Sequence, residues 1–200
     1  MKPEIKCVIF DIGGVLLSEG IEPVFDALNS KLGKTIFVRR GKLHSNLLKG
    51  KLNPDDYYDN IAKKTGKTPE YIKSLYFSTY TKIIKLNKKT IALAKNAKRN
   101  GYKIGIISNI TTPVKKVQEK WGIFDIFSPV ILSCDVGLMK PQKKIYQMAI
   151  KKTGLKPGEI VYTDDRKELL DAPKKLGMKT IHFRNAAQLK RDLRKLGVKI

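Results

Sequence analysis

In "CVIFDIGGVLL", residues 7–17, an apolar run ends at Asp11, and Gly13 and Gly14 follow. Other polar groups come after later apolar runs. Ser108 and Asn109 follow "YKIGII", Lys140 and Pro141 follow "PVILS" and a loop, and Asp164 and Asp165 follow "EIVYT". A carboxylate, a hydroxyl–amide pair, an ammonium and an acidic pair suit phosphoryl transfer. Asp11 can attack phosphorus as a carboxylate nucleophile and form an aspartyl-phosphate. A hard dication such as Mg²⁺ takes oxygen ligands, and Asp11 with Asp164 and Asp165 supplies them. Without it the clustered carboxylates would repel each other and an anionic substrate. Ser108 and Asn109 can hydrogen-bond the transferring oxygens. Lys140 brings them a positive charge and can steady Asp11.

Each group alone has an ordinary use. Ser108 with Asn109 can cap a helix, Lys140 is one lysine of many, and an aspartate pair can start a turn. Their shared address at the ends of successive strands makes them a candidate site. "IKCVIF" (5–10) is a continuous apolar run, as in a strand buried on both faces. Further strands are expected at "YKIGIIS", "PVILS", "EIVYT" and "KTIHF". Helices are expected near 88–99, 113–121, 141–152, 166–176 and 186–196. Strands alternating with helices predict an α/β fold with a doubly wound, Rossmann-like parallel sheet. Ligands of such sheets bind beyond the carboxyl ends of the strands.

Between the first strand and the rest, residues 21–85 carry helix signals only. "IEPVFDALNSKLG" has helical apolar spacing and closes on Gly33. Asn53 with Pro54, and Thr68 with Pro69, mark two helix starts. The expected organisation is a core of 1–17 and 86–200 with a helical insert at 18–85. Tyr57, Tyr58, Phe77 and Tyr80 are expected in the core of the insert, and Trp121 at a helix end. His44, in "GKLHSNLLKG", is read as a surface residue, the alternative being one that faces a substrate. His182, inside "KTIHF", is read as a hydrogen-bonded strand residue.

The chain has 200 residues, 42% of them apolar, with a formal charge of +23. Its apolar runs fall short of the ~20 residues a membrane span needs, so no membrane partner is expected. The N-terminus lacks the run of a signal peptide. Cys7 and Cys134 are read as reduced thiols of a cytoplasmic protein. The charge raises a nucleic-acid partner, and the lack of a basic tail or of aromatic–basic interleaving argues against one. No Asp or Glu lies between Glu70 and Glu119, which suits a small anionic substrate. The oligomeric state is not readable.

These residues together resemble the haloacid dehalogenase-like hydrolases. "FDIGGVLL", "IGIISNIT", "GLMKPQKKIYQMA" and "EIVYTDDRKELLDAPKKLGMKTIHF" are similar to that family's four motifs in order. The resemblance implies a Rossmann-like core under a helical cap, a Mg²⁺ site and phosphatase activity. It makes Asp11 the nucleophile and adds the Gly13 carbonyl to the metal ligands. Two positions depart from the family. Gly13 stands where most of its phosphatases carry an aspartate that acts as general acid and then base. Some sugar-phosphate phosphatases of the family share that glycine, so a sugar phosphate is one implied substrate. Glu19 is the candidate replacement acid, against a solvated surface residue. Leu169 stands where relatives often carry Asn or Asp, which implies weaker metal binding. Two other readings compete. One is a 2-haloacid dehalogenase, with Asp11 attacking carbon without metal. The other is a catalytically weak phosphate-binding protein.

Overall fold

A computed structural model describes residues 4–39 and 41–200. The strands are β1 (Cys7–Phe10), β2 (Lys103–Ser108), β3 (Val130–Leu132), β4 (Ile160–Asp164) and β5 (Lys179–His182). They form one parallel sheet in the order β3-β2-β1-β4-β5. The chain leaves β1 towards β2 and β3, then returns to β1's other side with β4. The crevice between β1 and β4 is therefore where the winding reverses. Asp11 and the Asp164–Asp165 pair stand at its mouth.

β1 is buried on both sides, and alternate residues serve different layers. Val8 and Phe10 face the layer that holds Ala94, Ala97, Leu189 and Leu193. Cys7 and Ile9 face Ile145, Tyr146, Ala149 and Tyr162. The first layer's helices are α5 (Lys88–Arg99) and α10 (Ala186–Lys195), and α8 (Lys143–Thr153) covers the second. Cys7 and Cys134 are free thiols, Cys7 buried and Cys134 half-buried.

Between β1 and α5 run α1 (Glu22–Leu32), α2 (Lys42–Leu48), α3 (Pro54–Thr65) and α4 (Pro69–Ile83). Asn53 and Thr68 cap α3 and α4 by accepting from Asp55 N–H and Tyr71 N–H. Phe25, Phe37, Tyr57, Tyr58 and Tyr76 form an aromatic centre among these helices. The two connecting segments are tied together. Leu17 and Leu86 form an antiparallel bridge, and Ser18 N–H donates to Lys85 O at 2.8 Å. Tyr80 of α4 stacks on Trp121 with ring centroids 5.8 Å apart, which joins the insert to the core. Trp121 caps α6 (Thr112–Lys120), as its expected place at a helix end requires.

Two elements differ from expectation. β3 stops at Leu132, and Ser133 opens the short α7 (Ser133–Val136). The Ser133 hydroxyl accepts from Ile110 N–H at 2.9 Å and donates to Ile110 O at 3.2 Å, fastening the loop after β2. The single helix expected near 166–176 is a tight turn at Lys167–Leu169 followed by α9 (Asp171–Lys175). Pro173 has no N–H to offer the carbonyl of Leu169, so an unbroken helix loses that bond. The Leu169 carbonyl accepts from the Tyr146 hydroxyl instead, at 2.9 Å.

Candidate active site

The ends of β1, β2 and β4 and the loop after β3 bring the candidate residues to one cavity of about 450 Å³. Asp11, Gly13, Ser108, Asn109, Lys140 and Asp165 all line it. Asp164 sits just behind, fully buried. Carboxylate oxygens of Asp11, Asp164 and Asp165 lie within 4.8 Å of one another.

Lys140 is the centre of the arrangement. Its Nζ lies 2.8 Å from Asp11 Oδ1, 2.7 Å from Asp164 Oδ2 and 3.0 Å from the Tyr162 hydroxyl. The ammonium donates to Asp164 and Tyr162 and forms an ion pair with Asp11. Burial works against its charge, and the two carboxylates outweigh burial and hold its pKa above the ordinary value. Lys140 is therefore placed to fix Asp11 and to lend the cavity its charge.

The two neighbouring aspartates divide their work. Burial opposes the charge of Asp164, but Lys140, Tyr162 and Arg166 N–H together hold its carboxyl below the usual range. Its Oδ2 accepts from Lys140 and Tyr162, and its Oδ1 from Arg166 N–H at 2.9 Å. Asp165 has no such company. Burial first, then the charges of Asp11 and Asp164, push it up to about 7. Asp11 is pushed up to about 6 by burial, against the pull of Lys140. Its Oδ1 also accepts from Ile12 N–H at 2.7 Å. The two aspartates thus differ in their partners: Asp164 is engaged with Lys140, and Asp165 is the carboxylate left open beside Asp11.

Asn109 also differs from expectation. Its side chain donates to Lys140 O at 3.0 Å and accepts from Lys140 N–H at 2.8 Å. The amide brackets the loop that carries Lys140, so of the Ser108–Asn109 pair it is the buried Ser108 side chain that is left to donate to an anion. His182 behaves as the hydrogen-bonded strand residue expected, with Nε2 2.9 Å from Asp165 O. His44 is not a surface residue: it is 4% exposed, lies edge-on to Phe25 and lines the cavity. Leu169 is buried and offers no oxygen from its side chain.

The two glycines after Asp11 differ in need. Gly14 has φ +69°, and a Cβ there would lie 2.7 Å from Asp165 Cγ. Gly13 has no left-handed φ, and a Cβ there would meet Gly20 Cα at 3.4 Å and Glu19 O at 3.8 Å, which is ordinary contact. Gly13 is therefore not required by backbone strain or by crowding at Cβ. Glu19, at the rim, is exposed.

Sequence reasoning missed Tyr162, Ser133 and Gly14. Tyr162 was recoverable, since it precedes Asp164 by two strand positions and so shares its face. Ser133 and Gly14 act through contacts that only the folded chain creates.

The donor set suits Mg²⁺. Asp11 and Asp165 are two hard oxygen donors whose mutual repulsion a dication would relieve. Among the described residues, no helix is long and apolar enough to cross a membrane.

Comparisons with known proteins agree with this geometry. A sesquiterpene phosphatase of Aspergillus oryzae is 25% identical over 197 residues, which is 96% of each chain. A glyceraldehyde 3-phosphate phosphatase of Methanocaldococcus jannaschii is 28% identical over 200 residues, covering 90% of this chain and 85% of that one. A haloacid dehalogenase family enzyme of Bacteroides thetaiotaomicron, solved with magnesium and inorganic phosphate, shares the fold. Its TM-score is 0.73 at 21% identity, over 90% of this chain and 95% of that one. The profile of the haloacid dehalogenase-like hydrolases matches residues 5–177. The chain belongs to that family of hydrolases.

Proposed function

We propose that this chain is a Mg²⁺-dependent phosphatase that cleaves small phosphate monoesters through an aspartyl-phosphate on Asp11. The observation that carries the reading is the open Asp165 carboxylate beside an Asp11 already fixed by Lys140. That pair makes sense with a dication and an incoming phosphate. A metal-free attack on carbon has no use for it.

Asp11, Asp165 and the Gly13 carbonyl would hold the metal, with Asp164 behind them holding Lys140. Bound Mg²⁺ would neutralise the clustered carboxylates and the phosphate oxygens. The chain's own groups do the rest. Asp11 attacks phosphorus with its free oxygen, and the bond from phosphorus to the leaving oxygen breaks. Ser108 hydroxyl would donate to the transferring oxygens, and the Lys140 charge would offset them. Water then cleaves the aspartyl-phosphate and restores Asp11. With Gly13 in place of an acid, the leaving oxygen departs without a proton from that position. This favours activated esters. Residues 18–85 serve as the cap that selects the leaving group.

The test is hydrolysis of an aryl phosphate by the purified protein. Turnover should need added Mg²⁺, stop with a chelator, and vanish in Asp11→Asn. Absence of turnover with any aryl, acyl or alkyl phosphate would refute the reading. Chloride release from 2-haloacids without metal would replace it.

A further inference from the structure

We infer that the leaving group for which this cavity is shaped is an uncharged, largely apolar alcohol carrying one or two hydrogen-bonding groups. The inference rests on the phosphatase reading and names its substrate class.

Glu19, Ser45 and Thr111 line the cavity too, and Asp11, Asp165 and Ser108 gather at its phosphate end. The wall beyond it is different. Leu48, Tyr76, Tyr80 and Ile84 come from the insert, and Ile110 and Val114 from the core. Among the described residues lining the cavity, every cation is already paired. Lys140 holds Asp11 and Asp164, Arg39 pairs with Glu22, and Arg166 pairs with Glu168 at 2.6 Å. A second phosphate or a carboxylate on the substrate would find no unpaired positive charge there. A polyol, with a hydroxyl on every carbon, would meet more hydrocarbon than hydrogen-bonding partners along this wall and lose part of its water without replacement.

Two buried polar side chains interrupt this wall, and each has an unpartnered end. His44 Nδ1 has no hydrogen bond, and the residue is 4% exposed. Gln118 is 3% exposed; its Nε2 donates to the Tyr80 hydroxyl at 2.9 Å, and its Oε1 has no partner. Buried polar atoms without partners are rare in folded chains and call for an explanation. A ligand group supplies one here. Burial holds the His44 imidazole neutral, with its pKa lowered to about 4. The wall thus offers uncharged hydrogen-bonding points in an apolar setting. Its volume, about 450 Å³, lies in the range of drug-sized ligand sites, roughly 300–1,000 Å³.

The experiment uses the full-length Asp11→Asn protein with Mg²⁺, so that esters bind without being consumed. Straight-chain alkyl phosphates of increasing length are titrated by calorimetry beside a polyol phosphate of equal length. Affinity should rise about 4-fold for each added methylene until the cavity fills, with a growing negative heat-capacity change. The polyol phosphate should bind at least ~10-fold more weakly than its alkyl counterpart. Equal or tighter binding of the polyol phosphate, or an affinity flat with chain length, overturns the inference. A second variant, Gln118→Leu, is measured with an alkyl phosphate and its terminal hydroxy derivative. The preference should shift by ~10-fold towards the plain chain. An unchanged preference overturns the role given to Gln118. Wild-type turnover of an aryl phosphate is followed separately, and its failure sinks the phosphatase reading itself.

Discussion

Lys140 Nζ lies 2.8 Å from Asp11 Oδ1, and the two side chains are 1% and 9% exposed. An ion pair this enclosed is costly to break from one side, because the remaining charge has neither water nor a partner. Lys140→Met would leave Asp11 and Asp164 facing each other. It should destabilise the metal-free protein by about 3–5 kcal/mol, read by denaturant unfolding. In the folded variant kcat/KM for an aryl phosphate should fall by at least ~10². Unchanged stability and activity would show that Lys140 is a bystander.

Gly13→Asp tests the missing acid. The position has ordinary φ and room for a Cβ, so the variant should fold. Hydrolysis of alkyl phosphates should rise by ~10² or more, with aryl phosphates little changed, because only poor leaving groups need the proton. A folded, Mg²⁺-binding variant with no gain on alkyl phosphates would mean that Glu19 or a substrate group already supplies it.

Gly14→Ala tests the approach of the backbone to Asp165. The left-handed φ of +69° and the collision with the Asp165 carboxylate act together. The backbone penalty alone is roughly 1–2 kcal/mol. Displacing Asp165 should weaken Mg²⁺ binding by ~10- to 100-fold, measured by calorimetry. The same substitution at Gly13 should leave Mg²⁺ affinity within a few-fold of wild type.

The carboxylates also predict how pH and metal interact. Asp165 is raised to about 7 and Asp11 to about 6, so the folded metal-free protein holds protons that the unfolded chain releases near pH 4. The stabilisation this gives is complete below pH 4 and is lost as pH rises through 6 and 7. His44, lowered to about 4, works in the opposite sense between its unfolded value of 6.5 and that pH. The clean window is therefore pH 6.5 to 7.5. There the melting temperature of chelator-treated protein should fall with rising pH, and the gain on adding Mg²⁺ should grow. A Mg²⁺ effect independent of pH would count against Asp165 as a ligand.

Much of the fold was legible in the sequence because each strand is a short apolar run bounded by helix signals. The candidate residues could be grouped from the sequence because parallel strands send all their exits to one rim, and all but Asp164 line one cavity. What stayed hidden depends on partners far apart in the chain. The Asn109 amide reads as a phosphate donor until Lys140, 31 positions away, is seen to occupy it. Asp164 and Asp165 read as equals until the Tyr162 hydroxyl and Lys140 are found on one of them only. His44 reads as a surface residue because α2 is short and polar around it, and Phe25 of α1 and Tyr57 of α3 pack against it. Pro173 was in plain view, and its missing N–H accounts for the broken helix after β4.

The central claim is the covalent bond to Asp11. Rapid quenching during turnover of an aryl phosphate with Mg²⁺, followed by borohydride, reduces an aspartyl-phosphate to homoserine. Peptide mass analysis then locates the change. The account predicts homoserine at position 11, absent when substrate or Mg²⁺ is omitted and absent in Asp11→Asn. Reduction at another carboxylate, or steady turnover that survives in Asp11→Asn, would contradict it.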